Sequence, residues 1–290
     1  MMKTNKLFLL ILGLSISIFI LSGCGKTKKS PTEIDFKTDL DTAKKIATDK
    51  NQPMVIVFLN SKCPWSKMLI DSTFSDKIVI EMSEKMVFVK LDVIKDSTLA
   101  HRFGIVYYPT VVVTKPDGSE IDRLVEYYPP TDFYNEIQLY LIGKETLEDY
   151  LTRLEDEPER VEYHLIVAEK YRNRASWDKA LEYYNNVIKL GHKNQQDEVE
   201  KAMFEIANIF TEKGDYKSGI RAFNDFIKRF PHSERVEDAR RIIPYCMVQN
   251  GDFYKALNYF KKYLDDYPQG KYVDWVKQHI DELNKVMKKG

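Results

Sequence analysis

Three positions in the second half of the chain recur in step. Ala180, Gly219 and Ala256 are each followed four residues later by a ring, Tyr184, Phe223 and Phe260, and preceded nine residues earlier by Tyr171, Phe210 and Met247. Twelve residues after each small residue come His192, Pro231 and Pro268. A four-residue step puts the small residue and the ring on one face of one helix, and a proline beyond them stops it. A unit this short cannot bury its apolar face alone, so the copies must stack on one another. Three helical pairs, closed by a helix over residues 272–287, meet the minimum for a stable solenoid.

The small, aromatic and proline positions are similar to those of the tetratricopeptide repeat, with proline missing from the first copy. The copies fall at about 161–194, 200–233 and 237–270. Their spacings of 39 and 37 residues exceed the usual period of about 34, which predicts longer loops. Phe226-Ile227-Lys228-Arg229-Phe230-Pro231-His232-Ser233 and Tyr263-Leu264-Asp265-Asp266-Tyr267-Pro268-Gln269-Gly270 resemble repeats of cell-envelope assembly lipoproteins. Leu147, Tyr150, Leu151 and Leu154 describe an amphipathic connecting helix within 143–158, ended at Glu157-Pro158.

Over residues 36–142 helical and strand patterns alternate, as α/β units do. Residues 41–49 read as a helix through Ala43, Ile46 and Ala47, and the apolar run 54–59 as a buried strand. Residues 66–83 read as largely helical with a break near 73–76, 87–93 as the next strand and 97–103 as a short helix. The stretches 110–114 and 121–126 are expected to be strands joined by a turn at Lys115-Pro116-Asp117-Gly118-Ser119. A last helix from Thr131 would lay Phe133, Ile137, Tyr140 and Leu141 on the sheet. Between the first strand and its helix stands Asn60-Ser61-Lys62-Cys63-Pro64-Trp65-Ser66. A helix that opens at a cysteine favours the thiolate, because free N–H groups and the helix dipole stabilise negative charge there.

This order of elements resembles the thioredoxin fold, with Cys63 at the nucleophile position. Phe103-Gly104-Ile105-Val106-Tyr107-Tyr108-Pro109-Thr110 has the Gly-Ile-x-x-x-Pro-Thr spacing of thioredoxins, which implies a cis Pro109 facing Cys63. Thr73-Phe74-Ser75-Asp76, followed by the 87–93 strand, is similar to the branch containing the periplasmic C-terminal domain of the membrane thiol:disulfide interchange protein. The expected architecture is therefore an α/β thioredoxin-like domain followed by an all-α tetratricopeptide-repeat solenoid. The resemblance implies a reactive site of Cys63, Ser66 and Pro109, with the Ser66 hydroxyl bonded to the Cys63 thiolate. It also implies a client-binding surface of Trp65, Tyr107, Tyr108 and Thr110, although the aromatic residues could equally pack against the helix.

Two positions depart from that pattern. Ser66 stands where a Cys-x-x-Cys site carries its second sulfur, and Val57 where many thioredoxins keep a buried aspartate. Cys63 can attack a disulfide, but a serine hydroxyl is far too weak an acid to resolve the mixed disulfide that results. Cys246, among the apolar residues of a repeat helix, is expected to be a buried structural cysteine.

At the N-terminus Lys3 and Lys6 precede an apolar stretch over 7–21 that ends in Leu21-Ser22-Gly23-Cys24. A charged start, a short apolar run and a small-residue end mark an export signal over residues 1–23. The last four residues resemble a bacterial lipobox, which implies a lipid on Cys24, a polar tether over 24–35 and an extracytoplasmic place in the cell envelope. Lys plus Arg and Asp plus Glu are both 44, so no field of one sign exists to attract nucleic acid. His101, His164, His192, His232 and His279 lack ligand spacing, and neither metal nor cofactor is expected.

Two functions fit these residues. In one, Cys63 exchanges disulfides with protein or peptide clients recruited by the cis-Pro face and the repeat groove. In the other, the domain is a redox-silent peptide binder and the repeats are the scaffold of an envelope complex. In both, Cys24 holds the chain to the membrane.

Overall fold

The computed structural model describes residues 31–288; the export signal, Cys24 and the first part of the tether lie outside the described residues. The first domain begins with Leu40–Lys50 (α1), whose N-cap Asp39 accepts a 2.7 Å hydrogen bond from the Thr42 N–H. Met54–Leu59 (β1) follows with all six residues buried, as a strand covered on both faces must be. Next come Pro64–Asp71 (α2), a 3-10 turn Thr73–Ser75, Lys77–Met82 (α3), Val87–Asp92 (β2) and Ser97–Arg102 (α4). Thr110–Thr114 (β3), Glu120–Val125 (β4) and Pro130–Leu141 (α5) complete the unit. The sheet order is β2-β1-β3-β4, with β1 parallel to β2 and both remaining pairs antiparallel.

The period of two along β1 divides its residues between two cores. Val55, Val57 and Leu59 join Val111, Val113 and Leu124 beneath Leu69 of α2, Val79 of α3, and Phe133 and Ile137 of α5. Met54, Ile56 and Phe58 join Val89, Leu91 and Val112 beneath Ala43 and Ala47 of α1 and Ala100 of α4. The break expected near 73–76 is the 3-10 turn, after which Asp76 caps α3 by accepting from the Ile78 N–H at 2.8 Å. Two local expectations are corrected. The last strand stops at Val125, because Glu126 turns away with φ +75°, and Leu141 faces solvent while Phe133, Ile137 and Tyr140 are buried.

Leu147–Asp156 (α6), capped by the Thr146 hydroxyl, leads into paired helices. The pairs are Val161–Arg172 (α7) with Trp177–Leu190 (α8), Gln196–Glu212 (α9) with Tyr216–Arg229 (α10), and Val236–Gln249 (α11) with Phe253–Asp266 (α12). Val273–Met287 (α13) packs against α12. Ala180, Ala256, Tyr184, Phe223 and Phe260 have no exposed surface, and Gly219 is buried with them. A Cβ on Gly219 would lie 2.9 Å from Thr211 Oγ1, so α9 and α10 approach more closely than any larger residue permits. Where the first copy lacks its proline, His192 opens a 3-10 turn over Lys193–Gln195.

The repeats are fastened to the sheet along β4, an edge strand whose side chains would otherwise face water. The Asp122 carboxylate, 0% exposed, accepts from Lys170 Nζ at 2.8 Å, an Arg174 guanidinium nitrogen at 2.6 Å and the Leu147 N–H at 2.7 Å. Beside it Arg123 pairs with Glu120 at 2.6 Å and donates to the Asn173 carbonyl at 3.0 Å. Gly104, at φ +60°, presses on the same turn: a Cβ there would lie 2.5 Å from the Arg174 carbonyl oxygen.

Burial works against the Asp122 charge, but Arg174 and Lys170 outweigh it and hold this carboxyl below the usual aspartate range. A lowered value means stability that is present above the unfolded aspartate's value of about 3.9 and lost as pH falls through the folded one. Asp122→Asn should therefore destabilise the chain by about 2 kcal/mol at neutral pH, because it takes the carboxylate from the largely buried Lys170 and leaves Arg174 only Glu120. Denaturant unfolding at a series of pH values should show that gap closing below about pH 4; a gap constant across the range would contradict the role given to Asp122.

Candidate functional site

The turn between β1 and α2 is built by Asn60. Its carbonyl accepts from the Cys63 N–H at 2.9 Å, its side-chain oxygen accepts from the Lys62 N–H at 2.9 Å, and its own N–H donates to Ser66 Oγ at 3.2 Å. Cys63 is thereby held in extended conformation as the N-cap of α2, with Pro64 at the first helical position, where its missing N–H is not needed. The thiol is partly exposed and donates to the Tyr108 carbonyl at 3.6 Å. The peptide joining Tyr108 to Pro109 is cis, and the Pro109 carbonyl accepts from the Glu126 N–H at 2.8 Å.

An open cleft of about 750 Å³ lies beside this pair, lined by Trp65, Val106, Tyr107, Tyr108, Glu126 and Tyr127. Trp65 and Tyr108 are 57% and 42% exposed. The Trp65 ring stacks on Tyr127 with centroids 6.1 Å apart, and the Tyr127 hydroxyl lies 3.2 Å from Ser72 Oγ at the end of α2. Cys63 itself does not line the cleft; its helix neighbour Trp65 and its contact Tyr108 do, which sets an aromatic surface beside the thiol.

A family model described as a thioredoxin-like domain matches residues 40–140. A second, described as an outer membrane lipoprotein, matches residues 196–278. Residues 40–140 thus form a thioredoxin-like domain, followed by C-terminal helical repeats. Similar solved structures include a DsbH oxidoreductase, 13% identical with a TM-score of 0.36, covering 39% of this chain and 87% of that one. A thioredoxin from Thermus thermophilus is 20% identical, TM-score 0.34, covering 37% and 88%. A variant thioredoxin from Halobacterium salinarum NRC-1 is 22% identical, TM-score 0.31, covering 38% and 93%. No curated protein matches the chain.

Within the thioredoxin-like domain three of the expected site residues have partners beyond the thiol and the cleft. Ser66 is 3% exposed and its oxygen receives the Asn60 N–H; no bond from it to Cys63 occurs among the described residues, so it shapes the turn. Thr110 is buried and donates to the Tyr107 carbonyl at 2.7 Å, so it braces the cis-Pro loop and cannot touch a client. Tyr107 lends its ring to the cleft, but its hydroxyl donates to Glu212 of α9 at 2.6 Å and Arg172 of α7 lies 4.8 Å over the ring. Burial, with the Glu212 bond, keeps the Tyr107 phenol above its ordinary range despite Arg172.

Val57 is fully buried in the sheet. Cys246 has no exposed surface, lies 3.4 Å from Thr211 Oγ1, and burial raises its thiol. Sequence reading missed Val106, Glu126 and Tyr127 in the cleft. The expected hairpin returns the end of β4 to Pro109, but nothing in Glu126 and Tyr127 themselves marks them as lining a cleft.

The Tyr107–Glu212 bond makes the cis-Pro loop part of the interface with the repeats. A double-mutant cycle of Tyr107→Phe and Glu212→Gln, read by denaturant unfolding, should give a coupling of about 1 kcal/mol. Additive effects of the two changes would mean that the loop is held without this bond.

Proposed function

We propose that the chain is a lipid-anchored, extracytoplasmic monothiol exchange protein, with Cys63 as its nucleophile and the helical repeats as a recruiting surface for protein clients. The observation that carries this reading is Cys63 itself, partly exposed at the start of α2 and facing the carbonyl of Tyr108, a residue that lines the neighbouring aromatic cleft. The match of residues 196–278 to a family described as an outer membrane lipoprotein, together with Leu21-Ser22-Gly23-Cys24, supports the envelope location and the anchor.

The chemistry follows from one sulfur. The Cys63 thiolate attacks one sulfur of a client disulfide; a Cys63–client bond forms, the client bond breaks, and its other sulfur leaves as a thiolate. One disulfide replaces another with no net oxidation. A second client thiolate, or a small thiol, then attacks the mixed disulfide and returns Cys63. With Ser66 in place of a resolving cysteine, Cys246 buried and Cys24 assigned to the lipid anchor, the described residues supply no thiol for that second step. The reading is therefore of a protein that rearranges disulfides or caps thiols, and the adduct should persist.

Trapping in cells tests this with the full chain, Cys63→Ala and Ser66→Cys on non-reducing gels. Reductant-sensitive adducts are expected with the native chain, none with Cys63→Ala, and far fewer with Ser66→Cys, which restores a resolving sulfur. Absence of Cys63-dependent adducts, with Cys63→Ala retaining function in the host, would favour the redox-silent scaffold instead.

A further inference from the structure

We infer that the client segment accepted by the cleft carries a cationic side chain beside its reactive cysteine, and that Glu126 selects it. This rests on the exchange reading above. Among the six residues that line the cleft, Glu126 alone is charged. It is exposed, and among the described residues it has no salt bridge. Its own N–H is committed to the Pro109 carbonyl at 2.8 Å, so its backbone is fixed against the cis-Pro loop and its carboxylate stands at the rim.

The conformation of Glu126 is informative. At φ +75° it occupies the left-handed region, which glycine adopts freely and a glutamate does not. Nothing in the turn calls for its side chain: it ends no helix and bonds no neighbour. Such outliers concentrate where a site uses the side chain they display. Here the carboxylate is displayed beside Tyr127, which stacks on the exposed Trp65. Two π faces and a carboxylate attract the same ligand group, an ammonium or guanidinium, and repel an acidic one. Lys62 and Lys67 are exposed on the turn and on α2 but do not line the cleft, and Arg172, which lies over the Tyr107 ring, is paired with Glu205 and Glu212; among the described residues Glu126 is the unpaired charge at the rim.

The test uses single-cysteine peptides activated as 2-thiopyridyl disulfides, identical except for Lys or Glu next to the cysteine. Cys63 forms the mixed disulfide with the peptide sulfur and 2-thiopyridone leaves, so its absorbance reports the rate. Each rate is divided by that of the same peptide with free cysteine. At low ionic strength the native chain should prefer the Lys peptide by about tenfold, and salt should erode this. Glu126→Gln should reduce the preference at least threefold, and Glu126→Lys should reverse it. Glu126→Gly, which relaxes the strained backbone, should keep the thermal midpoint at or above that of the native chain while losing the preference in the same way. Equal rates in the native chain, or a preference that survives Glu126→Gln and Glu126→Gly, would overturn the assignment and leave exchange standing. No reaction with any peptide would remove both.

Discussion

A carboxylate that has lost all contact with water survives only if its surroundings replace that water; Asp122 accepts one bond from the Arg123 N–H of its own strand and takes the rest of its replacement from outside its domain. Two cations and a backbone N–H reach it from Leu147, Lys170 and Arg174. Burying such a charge unpaired would cost several kcal/mol. The sheet and the first repeat are therefore not two bodies on a string. The strand that closes the sheet has its buried charge satisfied only when the end of α7 is docked against it.

That same turn of α7 and the loop after it act on both sides. Lys170 and Arg174 turn towards β4, whereas Arg172 turns towards Glu205 and Glu212 of α9 and lies over the Tyr107 ring. Cations at a helix C-terminus complement its dipole, so the sequence can gather three of them there without strain. Tyr107 precedes Tyr108, whose carbonyl faces the Cys63 thiol, and Gly104 of the same loop has no room for a Cβ against Arg174. The loop opposite the reactive sulfur is thus clamped by the repeats. A partner that displaced α7 or α9 would act on the thiol site through this loop.

What the sequence discloses is what its own periodicities report. The run Met54–Leu59 reads as a doubly covered strand, and the paired small and aromatic positions from Ala180 to Phe260 as repeated helix contacts. Both are local signals. The partners of Asp122 lie 48 and 52 residues away, on helix ends where Lys170 and Arg174 read as ordinary solvated charge. Thr110 and Tyr107 carry a motif that names their loop, but the motif cannot say that one side chain turns inward and the other meets a different domain. Glu126 was hidden for a further reason: a positive φ in a residue other than glycine leaves no mark in the sequence.

The central claim is that one partly exposed sulfur reacts and that nothing among the described residues resolves it. It is tested most directly by treating the folded protein with oxidised glutathione and following intact mass and peptide maps over time. The account requires one glutathione on Cys63 that persists until external thiol is added, with Cys246 unmodified while the chain stays folded. Conversion of that adduct into an internal disulfide with Cys246, or failure of Cys63 to react while Cys246 does, would contradict it.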